Sequence, residues 1–102
     1  MLVLEDQNTI LAFLVARAVT FEWELENIVV ASRRKGLGSL ILNEFLNMAR
    51  QEKAEAIFLE VRESNSAARS FYEKLAFEMT GRRPNYYTDP EEAAIVYRRT
   101  LS

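Results

Sequence analysis

A chain of 102 residues with 49% hydrophobic side chains is long enough for one small domain, residues 1–102, with a packed core, and too apolar to be disordered. It has no cysteine and no histidine, which excludes disulfides, thiolate and imidazole metal sites, a Ser-His-Asp triad and acyl-cysteine chemistry, so no metal is expected. The net charge of -2 argues against a general nucleic-acid binder, no apolar run approaches the ~20 residues that span a bilayer, and no secretion signal opens the chain, so a cytoplasmic protein without a membrane partner is expected.

The first apolar run, Met1 to Glu5, is followed by the turn residues Asp6-Gln7-Asn8 and a second strand pattern from Thr9 to Val19, which predicts a hairpin. Phe21 to Val30 reads as a third strand. Phe21, Trp23 and Leu25 alternate there with Glu22, Glu24 and Glu26, which predicts one wet face, whereas Ile28-Val29-Val30 is apolar on both faces and is expected to run into the interior. Ser39 to Glu52 places Leu40, Ile41, Phe45, Met48 and Ala49 at helical spacing, with Leu42 and Leu46 widening the stripe. Ala56 to Arg62 is a strand, and the helix before it makes a βαβ unit with a parallel pair. A second helix runs from Ser66 to Leu75, with Asn65 or Ser66 as its cap. Phe77 to Arg82 and Ala94 to Leu101 are strands, and the prolines and turn residues of Arg83 to Pro90 predict a loop between them. The order β-β-β-α-β-α-β-β is that of an α/β (α+β) domain with a mixed sheet.

The segment with most chemistry lies between the third strand and the first helix. Arg33, Arg34, Lys35, Gly36, Leu37, Gly38 and Ser39 form a basic, glycine-bearing turn that enters a helix. The first turn of a helix has backbone N–H groups without intrahelical partners, and the helix dipole adds positive charge there, so a pyrophosphate would sit well. A solvated charge cluster is the plainer reading of the same residues. Ile41 occupies the third glycine position of a dinucleotide fingerprint, and no Gly-Lys-Ser/Thr follows, so neither phosphate motif of that kind is present.

These blocks resemble the GNAT superfamily of acyl-CoA-dependent N-acetyltransferases, and within it the ribosomal-protein-alanine N-acetyltransferase (RimI-like) branch. The likeness rests on Arg33, Gly36 and Gly38, on Glu60-Val61-Arg62 with Ser64-Asn65, on Phe71-Tyr72-Glu73-Lys74-Leu75, and on Arg82, Arg83 and Asn85-Tyr86-Tyr87, and it runs from about Leu2 to Leu101. The resemblance implies a mostly antiparallel mixed sheet with a central parallel pair that splays to admit acetyl-CoA. It implies that Ile28, Val29 and Val30 offer backbone groups to the cofactor amides, that the backbone of Arg33 to Ser39 holds the pyrophosphate, and that Asn65 and Tyr72 lie near the thiol. Glu60 would be the general base and Tyr72 the general acid, with Glu60, Tyr86 and Tyr87 shaping the cleft for an amine acceptor such as a protein N-terminus. Plainer readings stand beside these: a surface Glu60 paired with Arg62, a core Tyr72, an Asn65 that only caps its helix, and Tyr86 and Tyr87 closing the core from a loop.

The family normally carries a strand and two helices ahead of the matched region. The edge of the first strand is therefore expected to be bare and to recruit a second copy, giving a homodimer or higher oligomer. The alternative to an enzyme is a truncated acyl-CoA-binding module that pairs through this edge. Ala76 stands where the family has glycine, and a left-handed backbone there would cost alanine about 1–2 kcal/mol.

Overall fold

The computed structural model describes residues 1–31 and 36–101. Six strands and two helices follow in chain order: β1 (Leu2–Asp6), β2 (Thr9–Val19), β3 (Glu22–Val30), α1 (Leu37–Gln51), β4 (Ala56–Arg62), α2 (Ser66–Lys74), β5 (Glu78–Tyr87) and β6 (Glu92–Thr100). They form one sheet in the order β1-β2-β3-β4-β6-β5. Neighbours pair antiparallel except β3 and β4, which are parallel, as a βαβ crossover through α1 requires.

The β1–β2 turn has Gln7 at φ 48° and Asn8 at φ 67°, closing a two-residue hairpin between the paired Asp6 and Thr9. Positive φ at both central residues matches the twist of the strands. The apolar stripe of α1 lies on the sheet. Ile41, Leu42, Phe45 and Leu46 are buried against Leu14, Leu25, Ile57 and Leu59, and the Phe45 ring lies 5.8 Å from that of Trp23.

Both helices end in the same way. In α2 the N–H of Phe77 donates to the Tyr72 carbonyl at 3.0 Å and that of Ala76 to the Glu73 carbonyl at 3.1 Å, with Ala76 at φ 68°. This is a Schellman motif, and its apolar contact is the 5.6 Å packing of Phe77 on the Tyr72 ring. Of the two outcomes open for Ala76, a left-handed alanine or a remodelled helix end, the structure shows the first. In α1, Lys53 at φ 63° plays the same part, with Ala54 N–H donating to the Ala49 carbonyl at 3.0 Å.

Two sequence expectations are corrected. Arg83 to Tyr87 is not loop but the second half of β5. Proline is tolerated there because β5 is an edge strand and its register with β6 shifts between Arg83 and Tyr87, so Pro84 owes no ladder bond. The end of β3 does not run into the interior either: Ile28 and Val29 are half-buried and Val30 is 40% exposed. The reason is the departure of β4, described next.

Candidate active site

β3 and β4 pair only at Glu22–Ala56, Trp23–Ile57 and Glu24–Phe58. Beyond that point β3 keeps its ladder to β2 as far as Val30, and β4 keeps its ladder to β6 as far as Arg62. The inner edges of the two strands thus face one another without bonding. A bulge accounts for the divergence. Val15 pairs with Asn27 and Ala16 with Leu25, which leaves Glu26 as an extra residue on β3. Such an insertion bends its strand and raises the local twist. It also changes the phase of the side chains. Leu25 and Ile28, opposite Ala16 and Leu14, reach the core three residues apart, and Asn27 is kept out of it.

The opening is a cavity of about 360 Å³ whose walls include Ile28 from β3, Glu60 from β4, Asn65, Ala68 and Tyr72 around α2, and Tyr87 from β5. A second cavity of about 250 Å³ adjoins it, lined by Glu24, Leu25, Glu26, Glu60, Tyr86 and Tyr87. Glu60 lies on both. Of the residues singled out from sequence, Ile28, Glu60, Asn65, Tyr72, Tyr86 and Tyr87 are therefore brought together. Val29 and Val30 lie further along β3, outside either lining. Arg33, Arg34 and Lys35 lie outside the described residues.

Gly36, Leu37, Gly38 and Ser39 form the start of α1. Gly36 takes φ 88° at the N-cap, where no side chain among the described residues caps the helix and the first turn carries no acidic residue. Its first N–H groups are thereby left for a ligand. A Cβ on Gly38 would lie 3.3 Å from the Phe71 ring and 3.9 Å from Val30, so the bare glycine lets this helix end abut both α2 and the end of β3. The start of α1 thus sits against the end of β3, beyond the point where β3 and β4 cease to pair. This donor set fits a phosphate at one end and an extended amide-bearing arm along the strands.

The Glu60 side chain is 15% exposed. The Tyr86 hydroxyl donates to its Oε1 at 3.3 Å. Arg83 Nε stands 3.4 Å from Oε2, close enough for attraction but without hydrogen-bond geometry, and Oε2 is buried with no hydrogen-bond partner among the described residues. A buried carboxylate oxygen without a donor is costly, so the site is primed for one. The pairing of Glu60 with Arg62 anticipated on strand-face grounds is not formed. Arg62 lies 4.4 Å over the Tyr87 ring and donates to the carbonyls of Thr88 and Pro90.

Tyr72 is buried between Phe71 and Phe77, and its hydroxyl makes no hydrogen bond among the described residues. Burial raises its pKa above the ordinary phenol value. The phenol therefore stays protonated at neutral pH. Tyr87 is raised too, by burial first and then by the charge of Glu60. Asn65 caps α2 by accepting from Ala68 N–H at 3.2 Å, which uses its carbonyl oxygen and leaves its amide hydrogens for a ligand. Capping and ligand contact are thus compatible in one side chain.

Sequence reasoning gave no role to Glu26, which lines both cavities, or to Arg83 beside Glu60. The wet-face alternation of Glu22, Glu24 and Glu26 was a signal for the first. No local signal reveals the second, because Arg83 and Glu60 are joined only by the β4-β6-β5 pairing.

The profile of the Acetyltransferase (GNAT) family matches residues 1–77. The [Ribosomal protein bS18]-alanine N-acetyltransferase of Haemophilus influenzae is 36% identical over 87 residues, covering 83% of this chain and 59% of that protein. The crystal structure of the ribosomal-protein-S18-alanine N-acetyltransferase of Escherichia coli superposes with a TM-score of 0.87 at 34% identity, covering 96% of this chain and 66% of that one. An acetyltransferase of Bacillus anthracis, solved in complex with acetyl coenzyme A, gives a TM-score of 0.83 at 27% identity, covering 94% and 58%. The chain thus spans no more than two thirds of the length of these relatives.

Proposed function

Because the chain belongs to the acetyltransferase (GNAT) family, we infer that it transfers the acetyl group of acetyl-CoA to a primary amine, most closely a protein N-terminal α-amine, by direct attack in a ternary complex. The observation that carries this reading is the placement of Glu60 and Tyr72 on one cleft between strands that part company after Glu24 and Phe58. Acetyl-CoA supplies an activated thioester when bound. The N-terminus of α1 holds its phosphates, and the free edges of β3 and β4 orient its amides.

An α-amino group has a pKa near ~7.7–8.0, so the acceptor arrives mostly as the ammonium. Glu60 accepts its proton, directly or through one water. Backbone N–H groups on the inner edge of β3 would supply hydrogen-bond donors for a thioester carbonyl oxygen held there. Tyr72 returns a proton to the departing sulfur, whose thiol has a pKa near ~8.5. With neither cysteine nor histidine in the chain, direct attack is easier to support than an acyl-enzyme. A cytoplasmic location, where CoA thioesters are available, goes with this reading.

The test is thiol release from acetyl-CoA with two versions of one short peptide, one with a free N-terminus and one already acetylated. Release with the first alone is expected. Equal release with both, or none with either, overturns the reading. A second reading is an inactive acyl-CoA binder that pairs through β1. It is favoured by an apolar groove of about 250 Å³ between that edge and α1, lined by Met1, Leu2, Trp23, Phe45 and Met48 among others. Saturable CoA binding without thiol release, together with a dimer in sedimentation, selects it.

A further inference from the structure

Resting on the role given to Glu60 above, we propose that Arg83 is a placeholder cation. Its guanidinium holds the position beside Glu60 that the ammonium of the incoming amine takes, and it moves aside when the acceptor binds. Three arginines stand near this mouth, and they are held very differently. Arg82 donates twice to Glu63, at 2.7 and 3.0 Å. Arg62 donates to two backbone carbonyls and stacks on Tyr87. Arg83 makes no hydrogen bond among the described residues; it has the 3.4 Å ion pair with Glu60 and lies 5.4 Å from the Tyr86 ring centre.

Its side chain is 60% exposed, so returning it to water costs little. The backbone beneath it is also loosely tied, because the β5–β6 register breaks after Arg83. The cavity itself favours a cation. Glu24 and Glu26 of β3 line it with Glu60; Arg17 bonds Glu24 at 2.8 Å and acts on Glu26 only by weaker Coulomb attraction. Arg83 answers that field but gives Glu60 Oε2 no hydrogen bond. An ammonium is compact and has three donors, so it can supply the missing bond. The exchange gains a charge-assisted hydrogen bond that the resting pair lacks.

Calorimetry in the presence of CoA tests this with an alanine-initiated tetrapeptide and its N-acetylated form, which has no ammonium. Arg83→Gln is expected to tighten the free-amine peptide about threefold, the scale of a partly exposed ion pair, and to leave the acetylated peptide where it was. Arg83→Lys, which keeps a cation, should stay near the wild-type value. In turnover the same factor should appear as a lower KM for the amine, with the KM for acetyl-CoA unmoved. A residue that merely braced β5 would shift both peptides together. Unchanged or weaker amine binding in Arg83→Gln, or equal changes for the two peptides, overturns the proposal. A wild-type chain that releases no thiol overturns the transfer reading instead, and the calorimetric comparison still decides for Arg83.

Discussion

The same two strands, β3 and β4, are locked at one end and parted at the other. At the locked end Glu22, Trp23 and Glu24 pair with Ala56, Ile57 and Phe58, and Arg98 of β6 reaches across to Glu22 with two bonds of 3.1 Å. Glu55 N–H adds a 2.8 Å bond to the Phe21 carbonyl. At the parted end, among the described residues, the facing backbone edges are unpaired, Val30 is partly exposed and Glu60 carries an oxygen without a hydrogen bond. Stability is concentrated in the first region and given up in the second, within one pair of strands. The difference originates in a single inserted residue, Glu26.

This contrast can be broken by variants that act on one end and not the other. The largest effect is expected from Glu60→Gln at the parted end, where loss of the proton acceptor should lower acetyl transfer about 10²–10⁴-fold. Its melting temperature should not fall, because the replaced carboxylate contributes an unsatisfied buried atom. A loss of folding with the loss of turnover would show that Glu60 is a structural group. Next comes Ile57→Ala at the locked end. Ile57 is fully buried beside Trp23, so the substitution should cost about 2–5 kcal/mol in urea unfolding. Turnover per folded molecule should persist at temperatures where the variant stays folded.

A smaller effect sharpens the comparison from α2, which carries Tyr72. Ala76→Gly relieves a left-handed alanine and should add about 1 kcal/mol, raising the melting temperature by about 5 °C. No gain would mean that the Schellman turn relaxes without glycine. The smallest concerns pH. Burial raises the Tyr72 pKa, so the unfolded chain releases this proton first as pH climbs past ~10. The stability it contributes is complete below that point and is lost as pH rises through the folded value. The urea midpoint should therefore decline on the alkaline side, and less steeply in Tyr72→Phe. Glu92 has the opposite sign. Ser64 N–H and hydroxyl lower its pKa, so its contribution holds above ~4.3 and fades as pH falls through the folded value. Ser64→Ala should flatten that acid limb.

Much of this was legible from residues close in sequence. The Gln7-Asn8 turn and the βαβ unit follow from local chemistry, and the motif resemblance singled out the glycine position held by Ala76 and located Glu60, Tyr72 and Asn65 around one cleft. The failures share a cause. The bulge at Glu26 exists only relative to β2, so Ile28-Val29-Val30 reads as interior when strand β4 has already turned away. Pro84 and Asn85 read as a turn because their local preference is for one, and only an edge position with a broken register lets them remain in a strand. Glu60 and Arg62 share a strand face, yet their partners come from β5 and the turn after it.

The two rims of the sheet are guarded unequally. The β5 rim presents Arg82, Arg83 and Pro84 and a kinked backbone, features that discourage a foreign strand from docking. The β1 rim presents Leu2, Val3 and Leu4, paired in register as far as a shift at Leu4/Glu5, without a proline or a basic residue. Uncontrolled aggregation at high concentration should therefore start at β1, and a lysine at Val3 would serve as its gatekeeper.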